Sequence, residues 1–176
     1  MKAERKIAAK ARPDAAKHAA AKFIEVIAPT PNDVVALYYP IHTELDTQPL
    51  AAALMEAQIP LALPVTQQKK SPLIFRHYDP NAPLIPGPFG ELTPDNTAPE
   101  TTPTIIVVPL IAFDTKAWRL GYGGGYYDRT LTQLRAKGPV MAVGYAYGDQ
   151  EVDAVPVSDL DQPLDFIITE RKSVRR

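Results

Sequence analysis

The feature that most constrains this chain is a set of short, largely apolar runs that read as strands at residues 34–39, 59–65, 104–108, 140–146 and 166–169. An alternating apolar and polar pattern marks a strand with one wet face, whereas continuous runs mark strands covered on both faces. Helical material lies between several of them, including residues 15–27, 49–58 and the stretch after the glycine run at 121–125. Strands alternating with helices predict an α/β fold, a three-layer α/β/α sandwich around a central, mostly parallel sheet. At 176 residues and 45% apolar content the chain suffices for one domain with a substantial core, and it shows no internal repeat and no dividing linker. Residues 1–176 are therefore read as a single domain.

Composition narrows the function. A formal net charge of -1 does not supply the field of a sequence-independent nucleic-acid binder. The absence of Cys removes thiol nucleophiles and thiolate metal sites, and His18, His42 and His77 stand far apart. Oxygen ligands remain, which suit a hard ion such as Mg²⁺. No apolar run approaches the ~20 residues of a membrane span. The expectation is a cytoplasmic protein, a monomer, with no nucleic-acid or membrane partner.

The first 28 residues are Ala-rich and basic, split by Pro13, and Ala16, Ala20, Phe23 and Ile27 form a stripe suited to lying on a sheet. Lys2, Arg5, Lys6, Lys10 and Arg12 either extend an anion site or form a solvated face. Residues 79–103 hold seven of the 19 prolines, an ordered excursion expected to cover something. The basic residues of 171–176 read as a solubilising tail.

In α/β sheets ligands sit beyond the carboxyl ends of the strands. There, after the 104–108 run, comes Arg119-Leu120-Gly121-Tyr122-Gly123-Gly124-Gly125-Tyr126-Tyr127-Asp128. Residues without Cβ opening a helix let backbone N–H groups converge on an anion, phosphate above all, although a tight turn alone would use the same residues. Asp128 in the first helical turn suits the helix dipole but repels a phosphate, a conflict that a divalent cation resolves. Arg119 and Tyr122 either hold phosphate oxygens or stack on a flat ring, and a surface salt bridge is the plain alternative for Arg119. Asp161 is a second candidate metal ligand within an acidic stretch, 151–170, that would serve equally as a solvated loop. Glu44, in the loop after the first strand, is placed either to read substrate or to cap the next helix.

Pro109-Leu110-Ile111-Ala112-Phe113-Asp114, followed after five residues by Leu120-Gly121-Tyr122-Gly123-Gly124-Gly125-Tyr126-Tyr127-Asp128-Arg129, resembles the signature of the 5-formyltetrahydrofolate cyclo-ligase family. Weaker likeness extends over the basic first helix, residues 44–47, 86–90 and 155–165. The resemblance implies an ATP- and Mg²⁺-dependent ring closure of 5-formyltetrahydrofolate to 5,10-methenyltetrahydrofolate, with ADP and phosphate released. It implies ATP contacts at Arg5, Lys6, Arg119, Leu120, Gly121, Tyr122, Gly123, Gly124, Gly125, Tyr126 and Tyr127, with Arg119 and Tyr127 catalytic. Folate contacts are implied at Tyr39, Glu44 and Tyr122 through Tyr126, and Mg²⁺ ligands at Asp128 and Asp161. Tyr122 departs from the pattern, since many members carry Arg there. The alternatives are a non-catalytic folate- or nucleotide-binding relative, and a sugar-phosphate isomerase or coenzyme-A transferase on a similar sheet.

Overall fold

The computed structural model describes residues 2–176, with Lys2 described by its backbone alone. The chain opens with α1 (Lys2–Ala11) and α2 (Ala15–Ile27), separated at Pro13, whose ring cannot continue a helix. It continues through β1 (Val35–Ala36), α3 (Gln48–Glu56), β2 (Leu61–Val65) and β3 (Ile74–His77). The hairpin β4 (Leu84–Pro86) and β5 (Leu92–Pro94) follows, then β6 (Glu100–Thr101) and β7 (Ile105–Val108). A second hairpin, β8 (Ala112–Phe113) and β9 (Arg119–Leu120), leads into α4 (Tyr126–Arg135). The chain closes with β10 (Met141–Tyr145), a 3-10 turn over Gly148–Gln150, β11 (Phe166–Ile168) and β12 (Ser173–Arg175).

Eight strands form one sheet in the order β12-β11-β10-β7-β1-β2-β3-β6. The five central strands, from β11 to β2, are parallel, and β12, β3 and β6 are antiparallel additions at the two edges. Alternate residues of the central strands enter two different cores. Val35, Leu61, Leu63, Ile105 and Val107 pack with Phe23 of α2 and Leu50 and Leu54 of α3. Ala36, Ala62, Ile106 and Val108 pack with Leu131 of α4 on the other face. Because both faces are covered, the strands carry no polar side of their own, as the continuous runs require. This is the expected three-layer α/β/α arrangement. No helix among the described residues is long and apolar enough to cross a membrane.

Three details differ from the sequence reading. The first strand stops at Ala36 rather than Tyr39, because the Tyr38 hydroxyl donates to the Leu45 carbonyl (2.7 Å) and Thr47 Oγ1 donates to the Tyr38 carbonyl (2.8 Å). Those bonds fold the chain into a fixed loop at the carboxyl end of β1. On α2 the buried residues are Ala15, Ala19, Ala20 and Phe23, with Ala16 and Ile27 at the margin. The basic tail is no simple solubilising extension: residues 173–175 are β12, and Arg171 and Lys172 pair with Asp149 and Glu151. A sheet edge supplied the order that charge alone did not predict.

Candidate functional site

The site lies beyond the carboxyl ends of β1 and β7. β7 ends in a segment that turns back as the β8–β9 hairpin, and this turn is built by one buried acid. Asp114 Oδ1 accepts from the amides of Lys116 (2.9 Å) and Trp118 (3.1 Å), and Oδ2 accepts from the Val155 amide (3.1 Å). With the turn held, β9 delivers Arg119 to the entrance of the glycine loop.

The loop from Gly121 to Gly125 uses its glycines for geometry. Gly123 has φ +85° and Gly125, the residue capping α4, has φ +63°, a backbone region that L side chains rarely enter. None of the amides of Gly123, Gly124 and Gly125 donates to an acceptor among the described residues. The first amides of α4 lack intrahelical acceptors by helix geometry, and the helix dipole puts its positive end at this terminus. Together they form a cradle for an anion.

One flank of the cradle is an ion pair. Arg119, only 5% exposed at its side chain, donates from Nη2 to Asp128 Oδ1 at 2.5 Å and from Nη1 to the Gln162 carbonyl at 2.6 Å. The Gln162 amide donates back to the same Asp128 oxygen (3.0 Å), so the backbone that follows Asp161 is tied to Asp128. Asp161 uses Oδ2 for the amide and hydroxyl of Ser158 (2.7 and 2.9 Å). Each carboxylate thus makes these bonds through one oxygen and keeps the other for a further ligand. Among the described residues there is no group of three or more metal-ligating side chains. Two carboxylates with phosphate oxygens and waters are, however, the ordinary surroundings of Mg²⁺, so the donor set fits it.

The opposite flank joins three distant segments. Arg5 of α1, 3% exposed, donates from Nε to Thr43 Oγ1 (3.2 Å) and from Nη1 to the Tyr122 hydroxyl, and lies 3.8 Å from Glu44 Oε1. The Tyr122 hydroxyl in turn donates to Glu44 Oε1 at 2.8 Å, while Glu44 Oε2 accepts from the Ile41 amide at 2.9 Å. Burial pushes the Glu44 carboxyl above its ordinary value, against the lowering effects of the Ile41 amide, the Tyr122 hydroxyl and Arg5. Burial likewise raises the Tyr122 phenol to about 12 and the Tyr127 phenol further, with the Glu44 charge adding to both. At neutral pH both tyrosines are therefore hydrogen-bond donors and not bases.

Of the sequence candidates, the fold gathers Arg5, Glu44, Tyr122, Arg119, Tyr127 and Asp128 around the loop. Tyr126 packs edge-on against Phe89 at the tip of the β4–β5 hairpin, with ring centroids 5.7 Å apart. Part of the Pro-rich excursion therefore does lie against the loop. Tyr39 is half-buried near the start of the loop after β1, Lys6 is exposed on α1, and Leu120 is exposed beside the glycines. Met1 and the Lys2 side chain lie outside the described residues. Thr43, Gln162 and Arg129 also shape the site. Arg129 stands in the signature string but has no role assigned from the sequence; nothing local marks Thr43 or Gln162. A cleft of about 380 Å³ between β3 and the β4–β5 region, lined by His77, Tyr78, Leu84 and Pro94, has none of these residues in its wall and stands apart from the site.

Fold and loop together define an α/β protein with an anion cradle at its strand ends. Comparison with known proteins narrows this. The model of the 5-formyltetrahydrofolate cyclo-ligase family matches residues 1–170. The 5-formyltetrahydrofolate cyclo-ligase of Haemophilus influenzae is 37% identical over 135 residues, spanning 74% of this chain and 72% of that protein. The enzyme of the same name from Escherichia coli is 35% identical over 143 residues, 78% of each chain. The solved structure of Aquifex aeolicus 5,10-methenyltetrahydrofolate synthetase superposes with a TM-score of 0.75 at 26% identity, covering 99% of this chain and 91% of that one. The chain belongs to the 5-formyltetrahydrofolate cyclo-ligase family.

Proposed function

We propose that this chain closes the ring of 5-formyltetrahydrofolate to 5,10-methenyltetrahydrofolate at the expense of ATP, as a single-domain cytoplasmic monomer. The observation that carries the reading is the set of free amides at Gly123, Gly124 and Gly125, set between the Arg119–Asp128 pair and the Arg5–Tyr122–Glu44 chain.

The formyl oxygen is a poor leaving group and must first be phosphorylated. It attacks the γ-phosphorus of ATP, the bond to the bridging oxygen breaks, and ADP leaves. The glycine amides, Arg119 and Arg5 hold the phosphates and stabilise the charge that builds on the transferring group. Tyr127 adds a protonated hydroxyl as a further donor. Asp128 and Asp161 would hold Mg²⁺, which supplies charge neutralisation on the phosphate oxygens. N10 then attacks the activated carbon and loses its proton, the carbon–oxygen bond breaks, and phosphate departs from the cationic five-membered ring. Glu44 and Tyr39 orient the folate, and fixing N10 against that carbon makes closure intramolecular, where orientation contributes most. No side chain needs to form a covalent intermediate.

The test is stoichiometry. One ADP should form per ring closed, and neither product should appear when the other substrate is omitted. ADP release without folate, or ring closure without ATP, contradicts the reading.

A further inference from the structure

Arg129 lies on the first turn and a half of α4, outside every phosphate, folate and metal position considered above. Its side chain folds back under the glycine loop instead of extending into solvent. Nη2 donates to the Gly124 carbonyl at 2.7 Å, and the guanidinium sits over the Tyr126 ring, 5.2 Å from its centroid. A Cβ built on Gly125 would stand 2.6 Å from Arg129 Nη1, so the guanidinium occupies the space that the missing side chain leaves. Its Nε is enclosed and meets no acceptor among the described residues.

An anion cradle made of backbone needs its amides turned toward the ligand and its carbonyls turned away. In a run of three glycines no side chain enforces that choice, and peptide planes in such a run flip at little steric cost. Arg129 supplies the missing constraint from behind: it captures the Gly124 carbonyl, which fixes the peptide plane that carries the Gly125 amide. Tyr126, clamped between Arg129 and Phe89, holds the guanidinium in place. We infer that Arg129 is a positioning residue that orients the glycine-loop amides for the nucleotide phosphates without touching them. This rests on the proposed ATP site and deepens it.

A planar fork is needed to stack on Tyr126 and bond Gly124 at once, which an ammonium group does not reproduce. Arg129→Lys and Arg129→Gln should therefore both weaken binding of a non-hydrolysable ATP analogue by about 10-fold or more, the scale of one lost charge-assisted hydrogen bond. Calorimetry on the full chain should show folate affinity within about twofold of wild type, and the KM for ATP should rise far more than the KM for folate. Inorganic triphosphate, which has no base or ribose, should lose affinity to the same degree. Unchanged analogue affinity in both variants overturns the inference while leaving the ATP site standing. Equal loss of both substrates with a lowered melting temperature also overturns it, by reducing Arg129 to a structural role. If the wild-type chain itself binds no nucleotide, the functional reading falls and this inference with it.

Discussion

The Tyr122 hydroxyl stands 2.8 Å from Glu44 Oε1, joining the glycine loop to the loop after β1 across 78 residues of sequence, while Arg5 of α1 donates to the same hydroxyl. The cation proposed for the phosphates and the carboxylate proposed for the folate thus share one phenol. Tyr122→Phe removes that phenol and leaves a buried carboxylate with one donor fewer. The Glu44 value, already above normal, should rise further, because the Tyr122 bond is one of the contacts that lower it. Rate profiles of kcat/KM for folate against pH should show the acid limb moving to higher pH in the variant. A limb that stays put, or moves down, contradicts the linkage.

Glu44 also sets a stability slope. Its folded value lies above 4.5, so the folded chain holds that proton longer than the unfolded chain does. Stability therefore declines as pH rises from about 4.5 through the folded value, and the loss is complete above it. Glu44→Gln should abolish that segment of slope in denaturant titrations run across the interval, while raising the KM for folate. A slope of unchanged size in the variant assigns it to another group.

Asp128 serves two partners, Arg119 and the Gln162 amide, besides its proposed metal role. Asp128→Asn should cost roughly 1–3 kcal/mol of stability, the scale of lost hydrogen bonds to a charged group in a partly exposed setting. It should reduce turnover by about 100-fold or more, at the scale of one lost electrostatic contact to the transition state, with a raised Mg²⁺ requirement. Magnesium titrations of initial rate, with circular dichroism as the folding control, decide it; wild-type Mg²⁺ dependence in the variant removes Asp128 from the metal site.

The loop glycines should not be equivalent. Gly121 has open space around its missing Cβ and no positive φ, whereas a Cβ on Gly124 would meet the Tyr126 ring at 2.8 Å and one on Gly125 would meet Arg129 in a left-handed backbone. Gly125→Ala and Gly124→Ala should raise the KM for ATP well above that of Gly121→Ala. The reverse order in steady-state rates would show that loop shape does not govern nucleotide binding.

The position of α1 depends on a charge cluster distant from the chemistry. Glu170 accepts from the Gly148 amide at 2.9 Å and lies 3.4 Å from Arg12 Nε, while Arg12 also bonds Asp149 at 2.8 Å. Arg12 directly follows the last residue of α1, the helix that carries Arg5. Glu170→Ala should destabilise by about 1–3 kcal/mol and raise the KM for ATP through displacement of Arg5. Chemical denaturation together with initial rates measures both; loss of stability with an unaltered KM separates the cluster from the site.

The parallel centre of this sheet was legible because its strands are buried on both faces, so composition alone marks them. The glycine loop and Asp128 at the head of α4 were legible because φ demands and helix polarity are local. The edges were not. β12 consists of Ser173, Val174 and Arg175, residues with no strand signature, and its order comes from pairing with β11. The β8–β9 hairpin hangs on Asp114, whose acceptors serve amides both two and 41 residues away. The contacts of Glu44 were beyond reach for the same reason: Arg5 and Tyr122 lie on separate elements, and only the completed sheet brings them together. Asp161 was singled out by its charge, but the Gln162 amide bond that ties the neighbouring backbone to Asp128 is one that no local pattern announces.

The measurement that tests the central claim most directly is near-ultraviolet absorbance of the purified chain with 5-formyltetrahydrofolate, Mg²⁺ and ATP, against the same mixture without ATP. The methenyl product has an extended conjugated system that the substrate lacks. An absorbance rise that requires ATP and saturates with folate is the predicted result. A flat trace from protein that still binds ATP or folate by calorimetry contradicts the account, and makes the loop a binding site without the ring-closing chemistry.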